Sequence, residues 1–281
     1  NNFVELAMVA DYSYYKSAQE YLKTTDSNKV ITFIEAYFVQ LATLASQIYE
    51  RSLANTPSLK LKIVPKVIYV LTSESVSGFT SSSTNKMNFN GKSADLGNRP
   101  YLDYKKVLKD FTSWTKTNLK NVEYDTAVLV TGSNFAEKSS EDVVGYAPMG
   151  GACSKERNAV LAEDFFNFFA YFTIAHELGH NLGVEHDEDN NPDDDSECYN
   201  KASYLMANSA YGPNFLNNFR LSPCSVKSLV QNIYKDYMFP CLAVKEDIPE
   251  DLKKFIDFFP GQVFSLTDRC KKEFNPDSFP V

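Results

Sequence analysis

The sequence predicts an α/β fold in which a mixed β-sheet is flanked by helices. Over residues 1–130, short apolar segments alternate twice with helical patterns, and a strongly apolar helix follows further along the chain. With 281 residues, 43% of them hydrophobic, the chain can bury one large core, with or without a small appended unit. After Leu182 the pattern changes, and we expect a smaller, irregular C-terminal part.

The spacing of apolar residues gives the elements of the N-terminal half. Residues 3–11 predict a buried strand, because alternation gives way there to a continuous apolar run. Apolar residues recur every three or four positions over 30–48, which is typical of a long amphipathic helix. Residues 59–71 are rich in Val and Ile and predict a strand, with Pro65 marking a bend or an edge. Residues 73–100 are rich in Ser, Asn and Gly and predict a surface loop.

The later segments predict three helices and three short strands. The helices are expected over 104–114, 164–182 and 226–237, and the strands at 127–130, 143–147 and 158–161. Beyond Cys241 the chain is rich in Pro and charged residues. We therefore expect one main domain over 1–245 and a linker or the start of another module over 246–281.

Charge and hydropathy limit the classes of partner. The net charge of −8 argues against nucleic acid and against anionic membranes. No uninterrupted apolar run approaches the roughly 18 residues that a transmembrane segment requires. The sequence begins at Asn1 without a methionine, and we expect it to be a segment of a longer precursor.

Five cysteines are scattered through the second half of the chain: Cys153, Cys198, Cys224, Cys241 and Cys270. They contain no C-x-x-C pair, which excludes a zinc ribbon and a thioredoxin-type motif. Their wide spacing suits disulfides in an oxidising compartment. Free buried thiols in a cytosolic protein fit the cysteine pattern equally well.

The most informative stretch runs from His176 to Asp187. His176 and His180 are four residues apart on a predicted helix, so both imidazoles project from one face and can share a zinc ion at roughly 2.0–2.1 Å. Gly183 can adopt positive φ, end the helix and turn the chain back. His186 then arrives as a third ligand. Three protein ligands leave a fourth position for water, as in catalytic zinc sites.

Glu177 lies next to the first of these ligands, where its carboxylate can meet a water molecule on the metal. The chain has three histidines, and all three occupy the ligand positions. Incidental surface histidines would explain a bare H-E-x-x-H, but not the extended pattern with its glycine and third histidine. The implied chemistry is hydrolysis by zinc-bound water, with Glu177 taking the water proton and delivering it to a leaving amine.

The pattern H-E-x-x-H-x-x-G-x-x-H resembles the metzincin zinc metalloproteases. Asp187, which follows it, resembles the reprolysin (adamalysin) branch, which includes ADAM, ADAMTS and snake-venom enzymes. Residues 3–11 are similar to the first strand of that branch. Met206 matches its Met-turn beneath the metal, although an ordinary core methionine is the alternative.

The resemblance covers about residues 1–245, the catalytic domain of this family. It implies a mostly parallel twisted sheet with flanking helices, a central active-site helix and a smaller irregular C-terminal subdomain that contains the Met-turn. It also implies a secreted metalloendopeptidase that binds zinc and cleaves extracellular proteins or peptides. We expect this enzyme to be a monomer.

The resemblance also implies further site residues. A substrate peptide would pair with an edge strand formed by Val143, Val144, Gly145, Tyr146 and Ala147. Residues 207–211 would line the pocket for the side chain after the cut, and Asp187 would hold the loop rather than bind metal. The family's disulfides would join Cys153 with Cys241 and Cys198 with Cys224. Residues 260–270 resemble the entry to a disintegrin-like module, so Cys270 either pairs beyond residue 281 or is a free thiol.

Relatives often bind a structural calcium ion, and Glu5, Asp125 and the Cys241 carbonyl match three of its ligands. The amide expected three residues after that cysteine is Val244 here, so the match is incomplete. The acidic residues of 187–197 alternate like a calcium loop. Pro192 and Cys198 occupy positions where an EF-hand needs glycine and glutamate, and we therefore expect a solvated loop.

Three functions from different classes remain compatible with the sequence. The chain is an active endopeptidase, a binding protein on a protease scaffold, or a structural domain stabilised by zinc. Glu177 favours the first, because a purely structural metal site has no use for a base.

Overall fold

The computed structural model describes residues 2–89, 92–94, 99–137, 143–188, 198, 203–208, 215–235, 238–243, 248–257 and 267. Its strands are β1 (Asn2–Ala10), β2 (Leu61–Val70), β3 (Tyr101–Asp103), β4 (Thr126–Thr131), β5 (Asn134–Ala136), β6 (Gly145–Tyr146) and β7 (Ala159–Glu163). Its α-helices are α1 (Tyr12–Leu22), α2 (Ser27–Ser52), α3 (Gly78–Ser81), α4 (Tyr104–Asn118), α5 (Ala170–Asn181), α6 (Pro223–Val230) and α7 (Glu250–Lys253).

The main sheet has five strands in the order β2-β1-β4-β7-β6. The pairs of β1 with β2, β1 with β4, and β4 with β7 are parallel, whereas β6 lies antiparallel to β7 at one edge. Strands β3 and β5 form a separate parallel pair. The predicted α/β class with a mixed, mostly parallel sheet and flanking helices is confirmed.

Helices cover both faces of the sheet, which explains why its inner strands are apolar almost throughout. On β1, Val4, Leu6 and Met8 join the larger core with α1, α2 and α5. The residues between them, Ala7 and Val9, join a second core with α3 and α4. Successive side chains of a strand point to opposite faces, so one strand supplies both cores.

Helix α2 packs across the sheet and against α5, and it contains the predicted helix 30–48. Asp26 caps it by accepting hydrogen bonds from the backbone N–H groups of Asn28 (3.1 Å) and Lys29 (3.3 Å). Among the described residues it is the one helix long and apolar enough to cross a membrane. Most of its apolar side chains are buried in the core.

Helix α1 was not predicted from the sequence, because polar residues interrupt its apolar face. Asp11 caps it by accepting a hydrogen bond from the backbone N–H of Tyr14 at 2.8 Å, and Tyr14 is fully buried. The predicted loop 73–100 also contains unpredicted structure, namely the 3₁₀ turn Glu74–Val76 and α3.

The predicted start of the apolar helix at residue 164 is wrong, because α5 begins at Ala170. Phe166 and Phe168 adopt positive φ angles of 59° and 62°, which a helix cannot contain. Tertiary contacts hold this conformation. Asp164 accepts a hydrogen bond from Phe166 N at 3.1 Å, and the Tyr37 hydroxyl accepts one from Phe168 N at 2.8 Å.

Three other predicted boundaries also shift. The strand expected over 143–147 is reduced to Gly145–Tyr146, although the Val144 carbonyl still accepts a hydrogen bond from Glu163 N at 2.9 Å. The strand expected at 158–161 is Ala159–Glu163, an inner strand of the sheet. The helix expected over 226–237 begins at Pro223, and its α-helical part ends at Val230 before the π-helical turn Gln231–Lys235.

One disulfide ties the C-terminal part to the rest of the chain, and a second lies within that part. Cys153 bonds to Cys241, with 5.7 Å between their Cα atoms, and Cys198 bonds to Cys224, with 5.9 Å. These are the pairings that the resemblance implies. In the chain-entropy model they stabilise the fold by about 4.5 and about 3.5 kcal/mol.

The short segment 248–257 packs against the main domain. Leu252 and Phe255 bury their side chains against Ala36 and Val39 of α2, and Gln40 Nε2 donates a hydrogen bond to the Phe255 carbonyl at 2.8 Å. A boundary near residue 245 stays a prediction. Cys270 lies outside the described residues.

Candidate active site and metal centre

Three imidazoles converge at the end of α5. His176 and His180 lie on the helix, and His186 reaches them after the chain has turned back. One ring nitrogen from each lies within 4.8 Å of the others, and His180 Nε2 is 3.0 Å from His186 Nε2. Two nitrogens bound tetrahedrally at about 2.05 Å from one zinc ion lie about 3.3 Å apart. The trio therefore has the spacing to hold one ion.

Backbone carbonyls orient two of these rings. His176 Nδ1 lies 2.6 Å from the Leu205 carbonyl oxygen, and His180 Nδ1 lies 2.8 Å from that of Val184. A carbonyl oxygen can only accept, so Nδ1 carries the proton in both rings and Nε2 keeps its lone pair for a metal. Burial, with a contribution from His180, lowers the pKa of His176 to about 3, which keeps this ring neutral. The donor set therefore fits zinc.

Gly183 makes the approach of His186 feasible. Its φ of +76° lies in the left-handed region, which a residue without Cβ adopts without steric strain. Asn232, from the π-helical turn, donates hydrogen bonds to the carbonyls of Leu182 (3.0 Å) and Gly183 (2.9 Å). This turn was predicted from the sequence, but the role of Asn232 was not.

The Glu177 carboxylate is buried between α5 and β6. A Cβ atom placed at Gly145 would lie 2.6 Å from Thr173 Cγ2 and 2.9 Å from Glu177 Cγ, so only glycine lets the strand approach this closely. Burial raises the pKa of Glu177 to about 8, and a hydrogen bond from the Ala147 N–H acts in the opposite direction. A carboxylate with this pKa is suited to exchange protons near neutral pH.

Met206 lies directly beneath the helix that carries two of the histidines. It is fully buried, and a Cβ atom at Gly179 would lie 2.5 Å from its Sδ atom. The carbonyl of Leu205 meets His176, and that of Met206 accepts a hydrogen bond from Asp187 N at 3.0 Å. The importance of Gly179 was missed. A glycine inside a helix costs about 1 kcal/mol, and this cost is a signal of close packing.

Asp187 holds the end of the motif against α6. Its carboxylate is buried and accepts hydrogen bonds from the hydroxyls of Ser222 and Ser225, the latter at 2.9 Å. Ser222 also caps α6 by accepting a hydrogen bond from Ser225 N at 3.0 Å. The structural role expected for Asp187 agrees with these contacts.

Asn181 connects the last turn of α5 to the sheet, a role that was not predicted from the sequence. Its side-chain oxygen accepts a hydrogen bond from the Thr126 hydroxyl at 2.9 Å. Its amide donates to the carbonyls of Pro148 (3.1 Å) and Arg157 (3.3 Å). These contacts fix the segment that follows β6 relative to the histidines.

The residues expected to bind calcium form a different arrangement. Glu5 N donates a hydrogen bond to Asp125 Oδ2 at 2.8 Å, and Lys66 Nζ lies 3.5 Å from Glu5 Oε1. Burial raises the pKa of Asp125 to about 6; the Glu5 charge adds to this rise, whereas the Glu5 N–H bond and Lys66 oppose it. Cys241 offers only its carbonyl, because its sulfur is bonded to Cys153.

Several predicted site residues lie at or beyond the limits of the description. In the expected edge strand, Val144 is 48% exposed, Val143, Gly145 and Tyr146 are partly buried, and Ala147 is buried. Ala207 and Asn208 of the expected pocket wall are described, but 209–211 are not. The acidic residues of 189–197 and Val244 also lie outside the described residues.

Comparison with known proteins assigns the chain to a family. The model for Metallo-peptidase family M12 matches residues 1–219. The chain is 33% identical over 171 residues to "A disintegrin and metalloproteinase with thrombospondin motifs 18" from Homo sapiens, which covers 59% of this chain and 13% of that protein. It is 32% identical over 174 residues to the human protein with the same description numbered 16, covering 60% and 13% respectively.

A mouse protein of this description numbered 19 is 31% identical over 156 residues, covering 54% of this chain and 12% of its own length. The aligned part of the chain thus spans about an eighth of the length of these relatives. The family match covers most of the chain, and the geometry of the histidines agrees with it. The chain belongs to metallopeptidase family M12, in its reprolysin branch.

Proposed function

We propose that this chain is a secreted endopeptidase that hydrolyses peptide bonds in extracellular proteins, with His176, His180 and His186 holding zinc and Glu177 as general base. The observation that carries the proposal is the convergence of three imidazoles, two of them oriented by backbone carbonyls, beside a buried carboxylate at the edge of the sheet.

The chemistry divides between the metal and the chain's own residues. His176, His180 and His186 would hold a zinc ion, which would lower the pKa of a water molecule and polarise the substrate carbonyl. Glu177 takes the water proton and later gives it to the leaving amine. The Ala147 N–H keeps the carboxylate oriented towards β6.

A substrate peptide pairs with β6 in this proposal. The strand bonds to β7 on one side, and its other side is the edge of the sheet. An extended peptide can add there as a further strand. Because Gly145 lies against Glu177, a peptide bond paired at this point lies next to the base. Val143, Val144, Tyr146 and Ala147 extend the same edge.

Secretion and a monomeric state belong to the proposal as well. Two disulfides suit an oxidising compartment and are unusual in the cytosol. All residues of the proposed site come from a single chain, so a second copy is not needed to complete it.

Calcium has no part in the proposed mechanism. A calcium ion at Glu5, Asp125 and the Cys241 carbonyl would require the Lys66 ammonium to leave Glu5. The side chains as they stand therefore do not fit calcium, and calcium binding stays a prediction from the resemblance.

Proteolysis of casein by the 281-residue chain tests the proposal. We expect Glu177→Gln to abolish cleavage and the chelator 1,10-phenanthroline to abolish it in the wild type. Glu185→Gln is the matched control, because Glu185 lies between His180 and His186 in the sequence and is exposed. Equal cleavage by all samples, or no cleavage by any, would refute the proposed function.

A further inference from the structure

A basic depression lies beside β6, on the side of the sheet that α4 covers. Its volume is about 640 Å³, and it lies between α4 and the segment that follows the strand. The depression is lined by one carboxylate, that of Glu156, and by four cationic side chains, those of Lys105, Lys109, Lys116 and Arg157. The whole chain has a net charge of −8, so this concentration of positive charge is local.

The cations differ in how far they are neutralised. Lys116 forms an ion pair with Glu156, and Lys105 Nζ lies 3.5 Å from Glu137 Oε2. Arg157 donates a hydrogen bond to the Met149 carbonyl and forms no ion pair with a carboxylate in the part of the chain that the structure describes. Lys109 is exposed and has no ion-pair partner among the described residues. The depression therefore keeps an excess of positive charge.

Side chains alternate between the two faces of a strand, so every second side chain of a substrate paired with β6 points towards this depression. Gly145 faces α5, because a Cβ atom there would touch Glu177. Tyr146 faces the opposite side, where its ring centroid lies 4.8 Å from that of Tyr104, and Lys105 Nζ lies 5.3 Å from the Tyr104 ring centroid. Directly opposed residues in a strand pair point to the same face, so a substrate residue opposite Tyr146 points towards α4.

We propose that this protease prefers substrates with an acidic side chain near the scissile bond, and that Lys105 and Lys109 recognise this side chain. The inference rests on the proposed function and names its substrate class. The scissile bond lies near Gly145, which Glu177 touches, whereas the depression adjoins Tyr146, Pro148 and Met149. The recognised substrate residue therefore lies about two to four positions from the scissile bond. If the substrate pairs antiparallel to β6, which is the commoner arrangement, this residue lies on the N-terminal side of the scissile bond.

Cleavage of paired peptides tests the inference. Peptides that the wild type cuts in a mixed library are resynthesised with Glu or with Gln two to four residues before the cut. We expect kcat/KM to be about fivefold higher for Glu, because each exposed ion pair contributes up to about 1 kcal/mol. This preference should nearly vanish in 1 M salt, where the screening length falls to about 3 Å.

Reversal of the charges of Lys105 and Lys109 tests whether these residues cause the preference for Glu. In Lys105→Glu/Lys109→Glu, the ratio of kcat/KM for Glu peptides to that for Gln peptides should fall to about one or below, so that the preference for Glu is lost or reversed. The matched control is Lys60→Glu/Lys62→Glu, which changes the net charge equally at exposed positions on the opposite edge of the sheet. We expect this control to keep the preference.

The outcomes separate this inference from the proposed function. Equal cleavage of the Glu and Gln peptides, an acidic preference only after the cut, or a preference that survives in Lys105→Glu/Lys109→Glu overturns the inference alone. If no library peptide is cut in a manner that Glu177→Gln abolishes, the proposed function fails and the inference fails with it.

Discussion

Two clusters of potential metal ligands lie at different places in this domain, and their side chains have different partners. His176 and His180 are held by the carbonyls of Leu205 and Val184, and His180 Nε2 lies 3.0 Å from His186 Nε2. The carboxylates of Glu5 and Asp125 already have partners, namely Lys66 and a backbone N–H.

This difference shows that the type of ligand does not by itself identify a metal site. At the histidine cluster, three ring nitrogens lie within 4.8 Å of one another, and the Nδ1 atoms of His176 and His180 already face backbone carbonyls. At the carboxylates, a lysine supplies a positive charge from within the fold. A divalent cation therefore gains more at the first cluster than at the second.

Selective chelation should give the largest difference in activity between removal of an ion from the histidine cluster and removal of an ion from the carboxylate cluster. We expect 1,10-phenanthroline, which removes zinc, to lower kcat/KM about a thousandfold or more, because the metal supplies several kcal/mol of transition-state stabilisation. EGTA, which prefers calcium, should leave activity unchanged. Added zinc should restore the chelated enzyme, and added calcium should not. Loss of activity in EGTA would mean that the carboxylate cluster binds a functional ion.

Gly179→Ala should show how tightly the histidine cluster is supported. The new methyl group would meet Met206 Sδ at 2.5 Å, and we expect a loss of about 2–3 kcal/mol in the free energy of unfolding. Truncation of the partner in Gly179→Ala/Met206→Ala should recover part of this loss relative to the sum of the single changes. Urea unfolding measures all three variants, and simple additivity would refute the contact.

The pH dependence of stability should report the carboxylate cluster. The pKa of Asp125 is raised from 3.8 to about 6 in the folded protein. Between these values the folded state keeps a proton that the unfolded chain has released, so the free energy of unfolding falls as pH rises through this window. We expect Asp125→Asn to remove this fall, which amounts to about 3 kcal/mol for a shift of this size. An unchanged profile would contradict the raised pKa.

Lys66→Met should make the two clusters more alike. Loss of the ammonium leaves Glu5 without its ion-pair partner, and we expect a destabilisation of about 1 kcal/mol, since the pair is only partly buried. Millimolar calcium should then raise the melting temperature of the variant but not of the wild type. Lys62→Met on the same strand is the control. Equal calcium responses in all three proteins would show that Lys66 does not substitute for a cation.

The sequence predicted the histidine cluster better than its support. Two ligands are four residues apart on one helix and the third follows a glycine turn, so the information is local. The role of Lys66 depends on the parallel register of β1 with β2, which pairs Glu5 with Val64 and Leu6 with Pro65. A contact between residues 61 positions apart has no local signature.

The same distinction explains the errors in the fold. The apolar run from residue 164 looked helical, but contacts of Asp164 and Tyr37 hold Phe166 and Phe168 in positive φ. The close approach of Gly145 to Glu177 likewise depends on the position of β6 next to β7. Helices, inner strands and the metal-binding motif follow from local patterns, whereas the groups that position the site come from distant segments.

Anomalous diffraction at the zinc absorption edge, from crystals of the 281-residue chain, tests the central claim most directly. We expect one strong peak about 2.0–2.1 Å from the Nε2 atoms of His176, His180 and His186, with no fourth protein ligand. A peak at Glu5 and Asp125, or a fourth protein side chain bound to the ion between the histidines, would contradict the account.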